Sequence, residues 1–301
     1  MENVVLYETP ELKSPYLVAG FAGWPNAGEV STRTIGYLRE KLRAKKFGEI
    51  RPESFYDFTS LEPLTRPVTV IEGGLVKEQS FPANEFFYWK NEKSAHDLII
   101  LLGSEPHLRW NEYADSVLQL AERFGVRRIY TVGGTYDKVP HTREPRVSAV
   151  VNAPELKEEL RKYDIKLTEY KGPSSVHTLL LIASRGRNIG SISLWGHAPD
   201  YRLYIYIPVN PKVCYRMLKS LAGMVEIDID LEDMKRAGDY LDEQIDKVVD
   251  QSPELQEYVR KLEEEYESAA EYREPAEGSD TIIEEVEEFL KGEQREENNA
   301  G

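Results

Sequence analysis

Two short, unbroken apolar runs, Leu98–Leu102 and Ile129–Val132, flank a stretch in which Tyr113, Val117, Leu118, Ala121 and Phe124 recur at helical spacing. Runs of this length suit parallel strands covered on both faces. Gly125 stands where a left-handed helix cap costs least, and Gly133-Gly134 closes the second run. The pattern predicts a right-handed βαβ unit over residues 97–147, its two strands adjacent in one sheet. Open α/β sheets hold ligands beyond the carboxyl ends of their strands. Two polar loops lie there, 103–110 and 135–146, and function is expected at them.

The same patterns extend in both directions. Val4–Tyr7 and Tyr16–Phe21 read as strands, and a helix over about 29–46 carries Ile35, Leu38 and Leu42 on one face. Between them lies a turn containing Gly20, Gly23 and Gly28. Its Gly23-x4-Gly28 spacing imitates a phosphate-binding loop, but Glu29 and Val30 follow where such a loop needs Lys and Ser or Thr. Tight strand–helix packing is therefore the expected use of these glycines. Ile50–Phe58, Val68–Glu72 and Glu85–Lys90 predict a strand-rich insertion. Further on come a helix over 154–163, a strand over 165–170, a helix over 176–187, a strand over 189–195 and a helix over 211–221. Tyr201–Ile207 alternates and reads as an edge strand or extended loop. The expected architecture is a three-layer α/β/α sandwich with a mainly parallel sheet, spanning residues 1–225.

Past Glu226 the pattern changes. Leu231, Met234, Gly238, Leu241, Ile245 and Val248 follow the 3-4 spacing of a coiled-coil seam, and Leu255, Tyr258, Leu262, Tyr266 and Ala269 repeat it more weakly. This predicts an acidic helical hairpin within an extension over 226–291, with a linker over 274–280, a last helix over 281–291 and a disordered tail over 292–301.

Charge sharpens that division. The net charge is −15; residues 226–301 hold 27 acidic against 8 basic side chains, a net of −19, and residues 1–225 hold 26 against 30, a net of +4. A near-neutral body lacks the clustered basic surface that nucleic-acid binding needs. One cysteine, Cys214, forbids an internal disulfide and suits a reducing cytoplasm. No apolar run is long enough to cross a membrane or resembles a signal peptide. A cytoplasmic protein is expected.

Candidate chemistry collects on the loops: His107, Arg109, Asp137, His141, Arg143 and Arg146, with His197 beyond another strand. Arg109, Arg143 and Arg146 could form an anion pocket. The histidines near Glu105, Asp137 and Asp200 lack local metal-ligand spacing, so no metal and no cofactor is expected. The competing expectation is that these side chains order the loops or meet a neighbouring subunit. Ser174, Ser175 and Cys214 lack a nucleophile elbow, and Asp228-x-Asp230 has Asp233 where a calcium loop needs Gly.

Five motifs occur in one order: Gly20-Phe-x-Gly-Trp-x-x-Ala-Gly28, Gly103-Ser-Glu-Pro-x-x-x-Trp110, Gly133-Gly-Thr-Tyr-x-x-x-Pro-His-Thr-Arg143, Tyr170-x-Gly-Pro173 and Ser193-Leu-Trp-x-His-x-Pro-x-Tyr201. The set resembles the proteasome assembly chaperone family, in the branch named after the second chaperone subunit and sometimes filed as ATP-grasp-like. The resemblance covers roughly residues 5–225. It implies a phosphorylase/hydrolase-like sandwich and self-assembly into trimers or small rings, with no chemistry established in most members. It implies proteasome subunits as partners, although eukaryotic members dock through a hydrophobic–Tyr–any tail and this chain ends Asn299-Ala300-Gly301. The expected function is a non-enzymatic, self-associating scaffold. The alternative is an enzyme or sensor for a nucleoside or phosphorylated compound, using the loops 103–110 and 135–146.

Overall fold

The computed structural model describes residues 2–59 and 66–271, with the backbone alone for residues 269–271. The linker, last helix and tail expected over 274–301 lie outside these residues.

The centre is a nine-stranded mixed sheet. In chain order its strands are β1 (Val4–Leu6), β2 (Tyr16–Ala22), β3 (Lys45–Ile50), β6 (Glu85–Trp89), β7 (Leu98–Ser104), β8 (Arg128–Asp137), β9 (Val147–Val151), β10 (Lys166–Leu167) and β11 (Gly190–Pro199). Across the sheet they run β1-β3-β6-β7-β2-β8-β11-β9-β10. The four central strands, β7, β2, β8 and β11, are mutually parallel. β6 and β9 join this core antiparallel, one on each side. Strands β4 (Val68–Glu72) and β5 (Leu75–Ser80) form a separate two-stranded hairpin.

The βαβ unit is present, but its strands do not touch: β2 lies between β7 and β8. The burial of β2 explains this. Five consecutive residues, Leu17 to Phe21, are buried, a state a strand reaches with neighbours on both edges and helices on both faces. The crossover through α2 (Trp110–Arg123) skips one strand to leave it room.

Period-two alternation divides the core into two layers. Val18, Ile100, Val132, Ile192 and Leu194 face α1 (Val30–Lys41) and α5 (Pro211–Met224). Leu17, Ala19, Phe21, Ile99, Leu101 and Ile129 face α2 and α4 (Val176–Arg185). A short helix, α3 (Leu156–Arg161), joins the first layer through Leu156 and Leu160. Gly20 lets α1 approach: a Cβ there would sit 2.8 Å from the Ser31 carbonyl oxygen.

Several boundaries differ from the sequence reading. The first helix stops at Lys41 and the chain turns through Arg43 in the left-handed region. This frees Lys45–Ile50 to be the strand expected over 50–58, while Phe55 turns back to bond Pro52. The strand expected over 165–170 shrinks to two residues, and 201–207 forms no strand, with a turn over 202–204.

The C-terminal helices are α6 (Glu232–Val249) and α7 (Pro253–Glu271). The stripe expected to be a coiled-coil seam is covered by the chain's own body. Leu231 and Met234 pack on the α1/α5 layer. Gly238 lies so close to α5 that a Cβ would come 2.9 Å from Lys212 Cα. Ile245 joins Tyr201, Ile207, Leu255, Val259 and Leu262 in a third core.

Candidate functional site

The parallel register of β8 and β11 sets Thr135 opposite His197 and Asp137 opposite Pro199. On the other side of β11, Ser148 of β9 lies opposite Trp195. Alternation therefore puts Thr135, Asp137, Ser148, Trp195 and His197 on one face of the sheet, at the carboxyl ends of β8 and β11. There the His197 ring is bonded at both nitrogens: Nδ1 is 2.8 Å from Asp137 Oδ2 and Nε2 is 2.8 Å from Ser148 Oγ. The His197 bond holds the Asp137 carboxyl below its ordinary range. An ionised Asp137 makes Nδ1 the donor, and in the neutral ring Nε2 is then the acceptor for the Ser148 hydroxyl.

This chain of three opens on a cavity of about 250 Å³ walled by Trp24, Tyr136, Tyr170, Pro173 and Trp195, with the hydroxyls of Thr168, Ser175 and Thr178. Two features shape it. Gly133 leaves room for the Trp195 indole, whose Cζ3 would be 2.9 Å from a Cβ at that position. Glu105, from the loop after β7, accepts a 2.8 Å bond from the Val176 N–H and so fixes the start of α4.

Next to the cavity His177 is fully buried between Phe21 and Trp195. Burial drives its pKa from 6.5 down to about 3. Cys214 is also buried, which pushes its thiol up to about 12 and leaves it unreactive.

Of the loop residues singled out in the sequence, the structure brings together Asp137 and His197. The others have separate duties. His107 accepts from the Asp57 N–H through Nδ1 at 3.3 Å and packs edge-on to Tyr56. Arg109 pairs with Glu112 at the start of α2. His141 is buried; Tyr201 Oη lies 2.8 Å from its Nδ1 and Asp246 Oδ1 3.0 Å from its Nε2, which pins α6 to the body. Arg143 holds α7 through Glu263 at 2.9 Å and Glu267 at 2.5 Å, and Arg146 lies over the Tyr266 ring. Arg109 is thus engaged on α2 and Arg143 and Arg146 on α7, while Arg146 Nε is buried without a hydrogen-bond partner among the described residues. The glycine-rich turn is likewise closed on itself: Gly28 N–H bonds Tyr136 Oη, and Asn26 Oδ1 accepts from Thr32 N–H. Among the described residues no group of three His, Cys, Asp or Glu side chains is placed to hold a metal.

Ser148 was not legible in the sequence as a site residue. The available signal was one polar residue inside the apolar run Val147–Val151, and only the pairing of β9 with β11 shows that it meets His197.

Fold and site define a mixed-sheet α/β/α protein with docked C-terminal helices. Residues 20–249 match the model of the PAC2 family, and the chain belongs to that family. It is similar to a PAC2 family protein from Streptomyces avermitilis, with 28% identity and a TM-score of 0.71 over 81% of this chain and 99% of that one. It is also similar to a proteasome-assembly chaperone homologue from Mycobacterium tuberculosis (25% identity, TM-score 0.72, 81% and 99% covered). A third similar structure is an archaeal proteasome activator from Pyrococcus furiosus (25% identity, TM-score 0.63, 81% and 97% covered). Among curated proteins none matches. Among the described residues no helix is long and apolar enough to cross a membrane.

Proposed function

We propose that this chain is a chaperone-like scaffold that associates with itself and acts on proteasome-type subunits, a role that needs no bond-making step. The single observation carrying self-association is the β4–β5 hairpin. Val68, Val70, Ile71, Leu75 and Val76 are between 41% and 67% exposed, and every residue of both strands is exposed. A lone two-stranded hairpin is marginal in water, and a contiguous exposed apolar patch marks an interaction surface. The main sheet offers no comparable route, because its edge strands β1 and β10 are three and two residues long and present little unpaired backbone. A second copy covering the hairpin stabilises both. The names of the mycobacterial and archaeal relatives support proteasome-type partners, the helices from Glu232 onward are read as a docked extension of the body, and the buried Cys214 suits a cytoplasmic setting.

Val70→Glu combined with Val76→Glu places two charges on the patch and leaves the nine-stranded sheet untouched. Light scattering should give the wild-type chain a multiple of 34.6 kDa and the double variant the single-chain mass. An unchanged multiple in the variant would show that assembly uses another surface.

A further inference from the structure

We propose that Ser148 is a reactive nucleophile, activated by His197 and Asp137, and that the cavity it lines accepts a small neutral ester whose acyl group it transfers to water. This goes beyond the scaffold role and does not depend on it.

The ordering of the contacts carries the inference. A serine is activated when one imidazole nitrogen takes its proton while the other is held by a carboxylate. Here Nε2 meets Ser148 Oγ and Nδ1 meets Asp137 Oδ2, each at 2.8 Å. A relay that served only to tie three strands together could sit in solid packing. This one borders a cavity, and Ser148 is 9% exposed, covered yet open to that space. A second hydroxyl points to a ligand. Ser175 lines the same cavity, is 2% exposed, and its Oγ has no hydrogen-bond partner among the described residues. A buried hydroxyl left unpaired costs free energy, and the carbonyl oxygen of a bound ester would accept its hydrogen.

The walls choose the substrate class. The one carboxylate lining the cavity, Asp137, is already bonded to His197, and no lysine or arginine lines it. Phosphorylated compounds would find no cation, whereas Trp24, Tyr136, Tyr170 and Trp195 offer flat apolar surface. A volume of about 250 Å³ lies below the roughly 300–1,000 Å³ of sites for drug-sized ligands, so the acyl group is small.

In the reaction the Ser148 hydroxyl proton passes to His197 Nε2 as Oγ bonds to the ester carbonyl carbon. The carbon–oxygen bond to the alcohol then breaks, and the alcohol leaves with that proton. Water attacks the acyl-serine with His197 again taking a proton, the acyl–serine bond breaks, and the carboxylic acid and free Ser148 are released.

The test treats the intact full chain with a small neutral fluorophosphonate and maps the adduct by peptide mass spectrometry, with p-nitrophenyl acetate hydrolysis measured in parallel. The expected result is one adduct, on Ser148, abolished by Ser148→Ala and formed at least about a hundredfold more slowly in His197→Gln. Asp137→Asn, which keeps the side-chain volume, should slow labelling too, and circular dichroism identifies any variant that fails to fold. Absence of an adduct on Ser148 in the folded wild-type chain overturns the proposal without recourse to a variant. So does labelling at an equal rate in folded His197→Gln, because the imidazole would then do nothing for the serine.

Discussion

Acidification from pH 6 to 5 should weaken the fold through one side chain, His177, with a slope approaching about 1.4 kcal/mol per pH unit. The unfolded chain takes up a proton on this histidine below its ordinary pKa of 6.5, whereas the folded protein resists protonation until about 3. Throughout that window the unfolded state binds more protons, so stability is complete above 6.5 and is lost as the pH falls toward 3. The cause is burial: the ring is fully enclosed, its Nε2 has no hydrogen-bond partner among the described residues, and Phe21 and Trp195 flank it. His177→Leu removes the titration, and Ser193 keeps its 2.8 Å bond to Thr131. Urea unfolding at pH 7, 6 and 5 should show a shallower loss in the variant, most clearly between pH 6 and 5, above the range where carboxylates titrate. Parallel profiles for the two proteins would mean that His177 accepts a proton in the folded state.

The second large effect concerns Gly134. A Cβ built there would stand 2.4 Å from the Ala27 carbonyl oxygen and 2.8 Å from Val30 Cβ. One neighbour is backbone and the other belongs to the first turn of α1, so neither can swing aside. The Gly134 N–H also donates to the Pro25 carbonyl at 2.8 Å, tying the glycine-rich turn to β8. Gly134→Val should therefore cost more than the usual overpacking range of about 1–3 kcal/mol. Gly36 provides the opposite case. It lies within α1, and a Cβ added there would meet nothing within 4 Å, so Gly36→Ala should stabilise by about 0.5–1 kcal/mol through reduced backbone freedom. Denaturant midpoints should move in opposite directions; a Gly134→Val midpoint near wild type would contradict the close approach.

The contrast between these glycines shows what can be read from a sequence. Gly20 was legible as part of a strand–turn–helix device because it sits at the end of an apolar run; Gly134 was expected to close its strand, but β8 continues through it to Asp137. The parallel core was legible for the same reason: Leu98–Leu102 and Ile129–Val132 are apolar on both faces. Their order in the sheet was not, because skipping a strand depends on where β2 docks, and nothing local to either run records that. The stripe from Leu231 to Val248 was legible as a covered helix face, but only part of its cover was: Leu241, Ile245 and Val248 pack with Leu255, Tyr258 and Leu262 of α7, as the hairpin pattern implies, whereas Leu231 and Met234 lie on the α1/α5 layer and Gly238 against Lys212 of α5. The loop residues divided in the same way. Asp137 and His197 are 60 residues apart and meet through register, whereas Arg143 lies six residues from Asp137 in the chain and is drawn off to α7.

Leu203, Tyr206 and Ile182 are also exposed, but the β4–β5 hairpin is the apolar surface on which the proposed self-association rests. Its strands hydrogen-bond to each other and the pair stands as its own sheet. Such a hairpin opens readily unless something covers it. β7, by contrast, is buried at the centre of the main sheet whatever the state of assembly. Amide hydrogen exchange of the full-length chain, followed over a range of protein concentrations, tests the scaffold account most directly. It predicts that protection of residues 68–80 rises with concentration while that of residues 98–104 stays constant. Protection of the hairpin that is independent of concentration would contradict it.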